Sequence, residues 1–187
     1  MPKRIYLALV ALTVIAAPVL AKNLPPATVH VALQIRPGLW EYADRPKVTG
    51  DTIFPDAMLA HVPPAQRAQF LAETRKQMVE PQKARECMTQ PKFEQRVSLS
   101  FTGCARKVLS NTASALEILT VCRSETQGMR QETQQRIVMS SPVVATSSTR
   151  AVSTRGGKAM TLESTEIGRW ISADCGNLKN GVIQQMP

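Results

Sequence analysis

Two kinds of hydrophobic spacing divide the chain. In Leu39-Trp40-Glu41-Tyr42-Ala43, Trp40 and Tyr42 alternate with Glu41, so the two rings share one strand face and the carboxylate takes the other. Pro37-Gly38 breaks the chain just before this first core strand, and the apolar stretch Val29 to Ile35 precedes it, with no pattern that says whether it docks as a strand. From Pro55 to Met78 the character changes. Asp56 to Val62 is short and apolar, Pro63-Pro64 resets the chain, and Ala65 to Met78 is rich in Ala, Gln, Arg, Glu and Leu. This predicts one surface helix near 64–78, with Ala68, Leu71, Ala72 and Val79 forming a narrow apolar stripe that rests on the rest of the domain. Beyond Cys87 the period becomes two: Val97, Leu99 and Phe101 alternate with Ser98, Ser100 and Thr102, and Leu116 and Ile118 oppose Leu119 and Val121.

Turn residues punctuate the second half at Asn111-Thr112-Ala113-Ser114, Ser140-Ser141-Pro142 and Arg155-Gly156-Gly157-Lys158. Strands are expected near 104–110, 115–122, 128–139, 143–153 and 159–171. Such short connections make an antiparallel meander, because parallel neighbours need long crossovers. The expected class is therefore mainly β, an antiparallel meander curled into a barrel or half-barrel.

The amino terminus has a different use. Lys3 and Arg4 precede an uncharged apolar run from Ile5 to Leu20, and Val19-Leu20-Ala21 puts small or short residues at a cleavage site. Residues 1–21 are read as a signal peptide cut near Ala21. The 16 apolar residues fall short of the roughly 20 that span a bilayer, and Pro18 would break the last turn. The rest divides into an amino-terminal lead, 22–36, and one β-rich domain, 37–187, with a helical insertion near 55–79. The product is expected in a bacterial periplasm or medium.

Export governs the cysteines. Cys87, Cys104, Cys122 and Cys175 would lie in an oxidising compartment, where an even number pairs. Their spacings of 17, 18 and 53 positions, with only His30 and His61 as histidines, do not suit a zinc site. Of three possible pairings, Cys87–Cys104 with Cys122–Cys175 is favoured, because the first closes a short loop and the second ties the middle of the sheet to its carboxyl end. The rival is Cys104–Cys122, which a hairpin centred on Ala113 would place opposite one another.

Charge changes the picture less. The formal charge is +9; the leader holds two cations and no acid, which leaves 21 Lys and Arg against 14 acids, or +7. The cations are scattered, with pairs such as Arg75-Lys76 and Arg106-Lys107, and of eight aromatics one is Tyr6 in the leader. A nucleic-acid partner is therefore not expected. Solubility is the first use of such charge, and an anionic envelope polymer or lipid the second.

Several short strings converge on one resemblance. Pro37-Gly38-Leu39-Trp40-Glu41, Cys87-Met88-Thr89, Gly103-Cys104, Val121-Cys122, Gly168-Arg169-Trp170-Ile171 and Asp174-Cys175 together resemble the bacterial PGLWE-motif family of exported domains of unknown function. Pro63-Pro64-Ala65-Gln66-Arg67 is similar to that family as well, whereas Val143 to Thr149 departs from it. The resemblance implies a small exported domain with no established activity. A weaker likeness is to lipocalin-type barrels, in which a Gly-x-Trp meets a late Arg; here Gly38-Leu39-Trp40 and Arg169 would take those parts, a stack worth about 0.5–2 kcal/mol. The plainer reading, favoured for so short a motif, makes Trp40 a core aromatic and Arg169 a surface cation.

Nothing local suggests catalysis. Glu163 and Glu166 point to opposite faces of a strand and are expected at solvated positions. His30, between two valines, has no identifiable partner, and no Gly-x-Ser-x-Gly, phosphate-loop or dinucleotide glycine pattern occurs. No catalytic, metal or cofactor residues are assigned. The expectation is a monomeric, non-catalytic binding module for a small apolar or amphipathic ligand, held in the cup of the sheet, or for another envelope protein met at its edge. The alternative is a hydrolase-type enzyme whose site assembles only in three dimensions, marked by a cleft with a shifted carboxylate or histidine.

Overall fold

The structure is a computed structural model that describes residues 31–54, 59–99, 101–178 and 183–186. The leader, its cleavage site and His30 lie outside the described residues. Eight strands form one antiparallel sheet: β1 (Gly38–Gly50), β2 (Gln82–Met88), β3 (Cys104–Asn111), β4 (Ala115–Ser124), β5 (Met129–Ser141), β6 (Val144–Arg155), β7 (Lys158–Ser172) and β8 (Ile183–Met186). Their spatial order is β3-β4-β5-β6-β7-β1-β2-β8. The sheet is not closed, so the meander is a half-barrel with β3 and β8 at its edges.

Turn chemistry sets the meander. The β6–β7 hairpin turns through Gly156 and Gly157, whose φ values of +53° and +77° suit a two-residue turn that matches the strand twist. β1 then pairs with β7 from Leu39↔Ser172 to Gly50↔Met160, which puts Trp40 opposite Trp170 and Tyr42 opposite Gly168. These side chains and those of Leu116 and Ile118 on β4 face the concave side, where Val31, Leu33, Met88, Phe93 and Val97 complete a buried cluster.

Among the described residues, two α-helices lie wholly between strands. α1 (Arg67–Met78) follows a 3-10 turn at Pro64–Gln66, as the proline-led helix pattern predicts, but it buries no residue. The expected stripe is not its contact face: Ala68, Ala72 and Val79 are exposed. The helix is tied instead by Phe70, whose ring centroid lies 6.4 Å from that of Phe54. Arg75 adds donation from Nη1 to the Gly50 carbonyl at 2.9 Å and from Nη2 to the Val48 carbonyl at 3.2 Å.

α2 (Gln90–Ser98) corrects the strand expected at 97–102. Pro91 starts the helix, and Phe93 and Val97, four apart, are its buried face. The alternation of Val97 with Ser98 was only the last step of that helical spacing running into a loop. Neither β2 nor β8 was expected; β2 reads Gln-Lys-Ala-Arg-Glu-Cys-Met and has no β-branched residue to mark it.

The cysteines form Cys87–Cys175 and Cys104–Cys122, so the favoured pairing is corrected and the rival Cys104–Cys122 is present. Register decides it. Cys104 faces Cys122 across the β3–β4 hairpin, while β2 lies beside β1 and so brings Cys87 near the segment that follows β7. Two disulfides fit an extracellular or periplasmic protein. No helix among the described residues is long and apolar enough to cross a membrane.

A roofed cup on the concave face

The Pro37–Glu41 segment sets the floor of the site. Gly38 has φ +133°, and a Cβ there would stand 2.2 Å from the Ser172 carbonyl oxygen, so only glycine lets β1 enter beside β7. The Trp40 indole is 2% exposed and donates to the Arg36 carbonyl at 2.8 Å. Trp170 donates to the Pro37 carbonyl at 2.9 Å. Leu39 is half-buried on the opposite face, and Glu41 there meets Arg85 at 2.9 Å.

Arg169 is exposed and lies opposite Glu41 in the register, on the far side of the sheet from Trp40. The guanidinium that does stack on an indole is that of Arg36, 3.6 Å from the Trp170 ring centroid. Gly168 is the second obligatory glycine. A Cβ on it would come within 2.9 Å of Tyr42 Cε1, so its bareness lets Tyr42 lie over β7 and stack on Trp40, with centroids 6.4 Å apart.

α2 roofs this floor, and its attachment is ionic. Glu86 on β2 is 2% exposed. Arg96 donates to its two carboxylate oxygens at 2.7 and 2.6 Å, and Lys92, one helical turn earlier, forms a second ion pair with it. Lys92 also donates to the Cys87 carbonyl at 2.9 Å. A buried carboxylate is tolerated only when paired and hydrogen-bonded in this way. Gln90 secures the amino-terminal side: its Oε1 accepts from the Ile35 amide at 3.0 Å and its Nε2 donates to the Leu33 carbonyl at 3.1 Å. One side-chain amide thus supplies the two bonds a neighbouring strand would give to residues 31–36, and Val31 and Leu33 are buried beneath it.

Between floor and roof lies a cavity of about 100 Å³. Ile35, Met88, Phe93, Val97, Ile137 and Met139 supply its apolar walls, and Tyr42, Arg96, Arg106, Gln135, Ser147 and Glu166 a polar lip. Arg106 donates to the Val97 carbonyl and, at 3.3 Å, to Thr120 Oγ1, and burial lowers its pKa. Gln135 Nε2 donates to Ser147 Oγ at 3.2 Å. Burial pushes the Glu166 carboxyl up from the ordinary carboxylate range; Asp44 and Glu86 add to this and Arg96 opposes it. Burial likewise raises the Tyr42 phenol. Asp44, opposite Glu166 in the register, accepts from the Ser164 hydroxyl.

Glu163 and Glu166 do lie on opposite faces. Glu163 is half-exposed, 3.7 Å from Arg150, but Glu166 is not the solvated residue expected. Its neighbour across the strands, Asp44, could not be seen without the register. Glu86, Gln90, Arg96 and Arg106 were missed too. For α2 a signal existed, since Lys92 and Arg96 repeat the same four-residue spacing as Phe93 and Val97. No group of three or more potential metal ligands occurs among the described residues. A wider, open groove of about 440 Å³ between the β4–β5 and β6–β7 turns carries Arg123, Arg130, Arg155 and Lys158. There Arg130 binds Glu132 at 2.6 Å, and Arg155 donates to the Gln127 and Phe54 carbonyls.

Comparison with known proteins places the domain. A family model described as a protein of unknown function, DUF3617, matches residues 35–175 and so takes in the floor, roof and lip of the cup together. No curated protein and no solved structure gives a match, so the likeness to lipocalin-type barrels has no support from comparison.

Proposed function

The chain belongs to the DUF3617 family of proteins of unknown function, and from that premise we propose that it is an exported, non-catalytic binding module that holds a small apolar or amphipathic ligand under α2. The observation that supports this most is the cavity itself: walled by six apolar side chains, polar along one lip, and closed by a helix that salt bridges and a glutamine hold in place. Export after cleavage near Ala21, into the periplasm or medium, is part of the reading and agrees with the two disulfides. The protein acts as a monomer. The cationic groove at the hairpin ends is the place for an anionic envelope polymer or lipid headgroup, and no nucleic acid is involved.

Xenon, followed by its NMR chemical shift, is small enough for a cavity of about 100 Å³ and tests the proposal. It should bind the wild-type protein and not Ala145→Phe, which puts a ring into the cavity wall, provided the variant keeps its thermal transition. Met139→Trp serves as a second filling variant. Absence of xenon binding to the wild type, or undiminished binding to both fillers, refutes the cup. One observation favours a hydrolase-type enzyme instead: Glu166, with a raised pKa, faces the cavity beside Asp44. Under that reading Glu166→Gln would make the protein retain an intact compound that the wild type converts; under ours both retain the same compound, read by mass spectrometry of the released ligand.

A further inference from the structure

The polar lip of the cup contains both signs of charge, and its cations are largely engaged by the protein. Arg96 spends its Nη2 on both oxygens of Glu86, Lys92 completes that pair, and Arg106 reaches the Val97 carbonyl and Thr120. What remains for an occupant is of another kind. Tyr42 and Glu166 line the cavity with no side-chain hydrogen bond among the described residues. Gln135 uses its amide nitrogen on Ser147, which leaves the Gln135 carbonyl oxygen as an acceptor and the Ser147 hydroxyl as a donor. Beside them Tyr42 stacks on the buried Trp40, with ring centroids 6.4 Å apart and planes at 17°.

An ionised head would suit this lip poorly. An anion meets Glu166, Asp44 and Glu86 on the β1–β2–β7 side, and a cation meets Arg96 and Arg106 on the other. Either must surrender its hydration to a place where Glu86 already holds Arg96 and Lys92 and where Arg106 is spent on the Val97 carbonyl and Thr120. A hydroxyl group loses far less on entry and both donates and accepts, which matches a phenol, an amide oxygen, a serine hydroxyl and a carboxyl whose burial favours the protonated form. The dimensions limit the other end. A cavity of about 100 Å³ is smaller than the ~150 Å³ that encloses benzene, so a short apolar segment enters and the head stays at the lip.

We propose, building on the reading of the cup as a ligand site, that its occupant is an uncharged amphiphile of the sugar or polyol class, with a short apolar segment under α2 and its hydroxyls against Tyr42, Gln135, Ser147 and Glu166. Sugar rings add a reason, because their C–H faces pack on an aromatic ring such as that of Tyr42 at the lip while their hydroxyls need acceptors and donors of both kinds.

Hexyl glucoside, hexanoate and hexylammonium carry one tail and three heads, which makes them direct probes. Each is titrated into the disulfide-intact chain, with calorimetry and the fluorescence of Trp40 and Trp170 as readouts. Hexyl glucoside should bind at least tenfold more tightly than either charged analogue. Gln135→Ala and Ser147→Val should each weaken it several-fold while keeping the thermal transition, and Glu166→Gln, which keeps a neutral head of the same shape, should retain it. Equal or tighter binding of hexanoate or hexylammonium overturns the proposal, as does loss of the glucoside on Glu166→Gln, and both leave the cup itself standing. Xenon binding without glucoside binding also overturns it. Failure of xenon to bind at all refutes the cup, and with it this proposal.

Discussion

Replacing Trp40 tests the whole arrangement of floor and roof, because three separate contacts meet on that ring. It is 2% exposed, its indole donates to the Arg36 carbonyl at 2.8 Å, and it stacks on Tyr42 above the bare Gly168. Truncating a buried Trp to Ala costs about 3–5 kcal/mol. The hydrogen bond contributes little of this, roughly 1 kcal/mol, since Arg36 is exposed and its carbonyl can turn to water when the indole is lost. For a domain of this size each kcal/mol moves the melting temperature by about 2–4 °C, so Trp40→Ala should lower it by about 6–20 °C. Trp40→Phe separates the contributions. It keeps most of the ring and removes the donor, so about 1–2 kcal/mol and a drop of about 2–8 °C are expected. The assay is thermal unfolding followed by far-ultraviolet circular dichroism, with and without reductant. The reduced Ala variant should suffer more, because without cross-links its unfolded chain is freer. A drop below about 2 °C for Trp40→Ala, or a Phe variant as damaged as the Ala variant, would show that the ring is not the anchor described.

Two further outcomes follow from the cross-links and from the buried carboxyl. The disulfides close 88 and 18 residues, for which chain entropy gives about 4.6 and about 3.2 kcal/mol. Removing Cys87 and Cys175 together as serines should therefore lower the melting temperature about 3–6 °C more than removing Cys104 and Cys122; calorimetry showing the reverse order would contradict the loop argument. Glu166 has a raised pKa when folded, so between the ordinary carboxylate range and that raised value the folded protein holds a proton that the unfolded chain has released. Stability contributed by this group is present at low pH and lost as pH rises through that interval, and Glu166→Gln should flatten this part of the melting-temperature profile; a profile unchanged by the substitution would remove the burial argument.

What the sequence made legible was governed by period. The meander from β3 to β7 could be drawn because turn residues at 111–114, 140–142 and 155–158 separate runs of alternating polarity, and alternation is the one property a strand shows without its neighbours. α2 escaped because it is only nine residues long, and its two buried apolar positions look the same in a strand read from Val97 onward. β2 escaped because it sits between β1 and β8 through register alone, and its inward Glu86 looks like a solvent residue until α2 brings Lys92 and Arg96 over it. The cup was invisible for a related reason. Asp44 and Glu166, 122 positions apart, meet only because β1 crosses back to pair with β7.

The Gln90 clasp on residues 31–36 has a consequence for how the molecule is made. A ribosome emits Val31 and Leu33 early, yet the amide that receives them comes about 55 residues later, and Asn111, which accepts from the Ala32 amide, later still. The first part of the domain to be synthesised is thus among the last to find its place. Until then two aliphatic side chains and a row of backbone groups wait uncovered, open to any holdase or protease that meets the nascent chain. An amino-terminal fusion that shields or stiffens this stretch would act on maturation rather than on the finished fold, by delaying the moment at which the clasp closes.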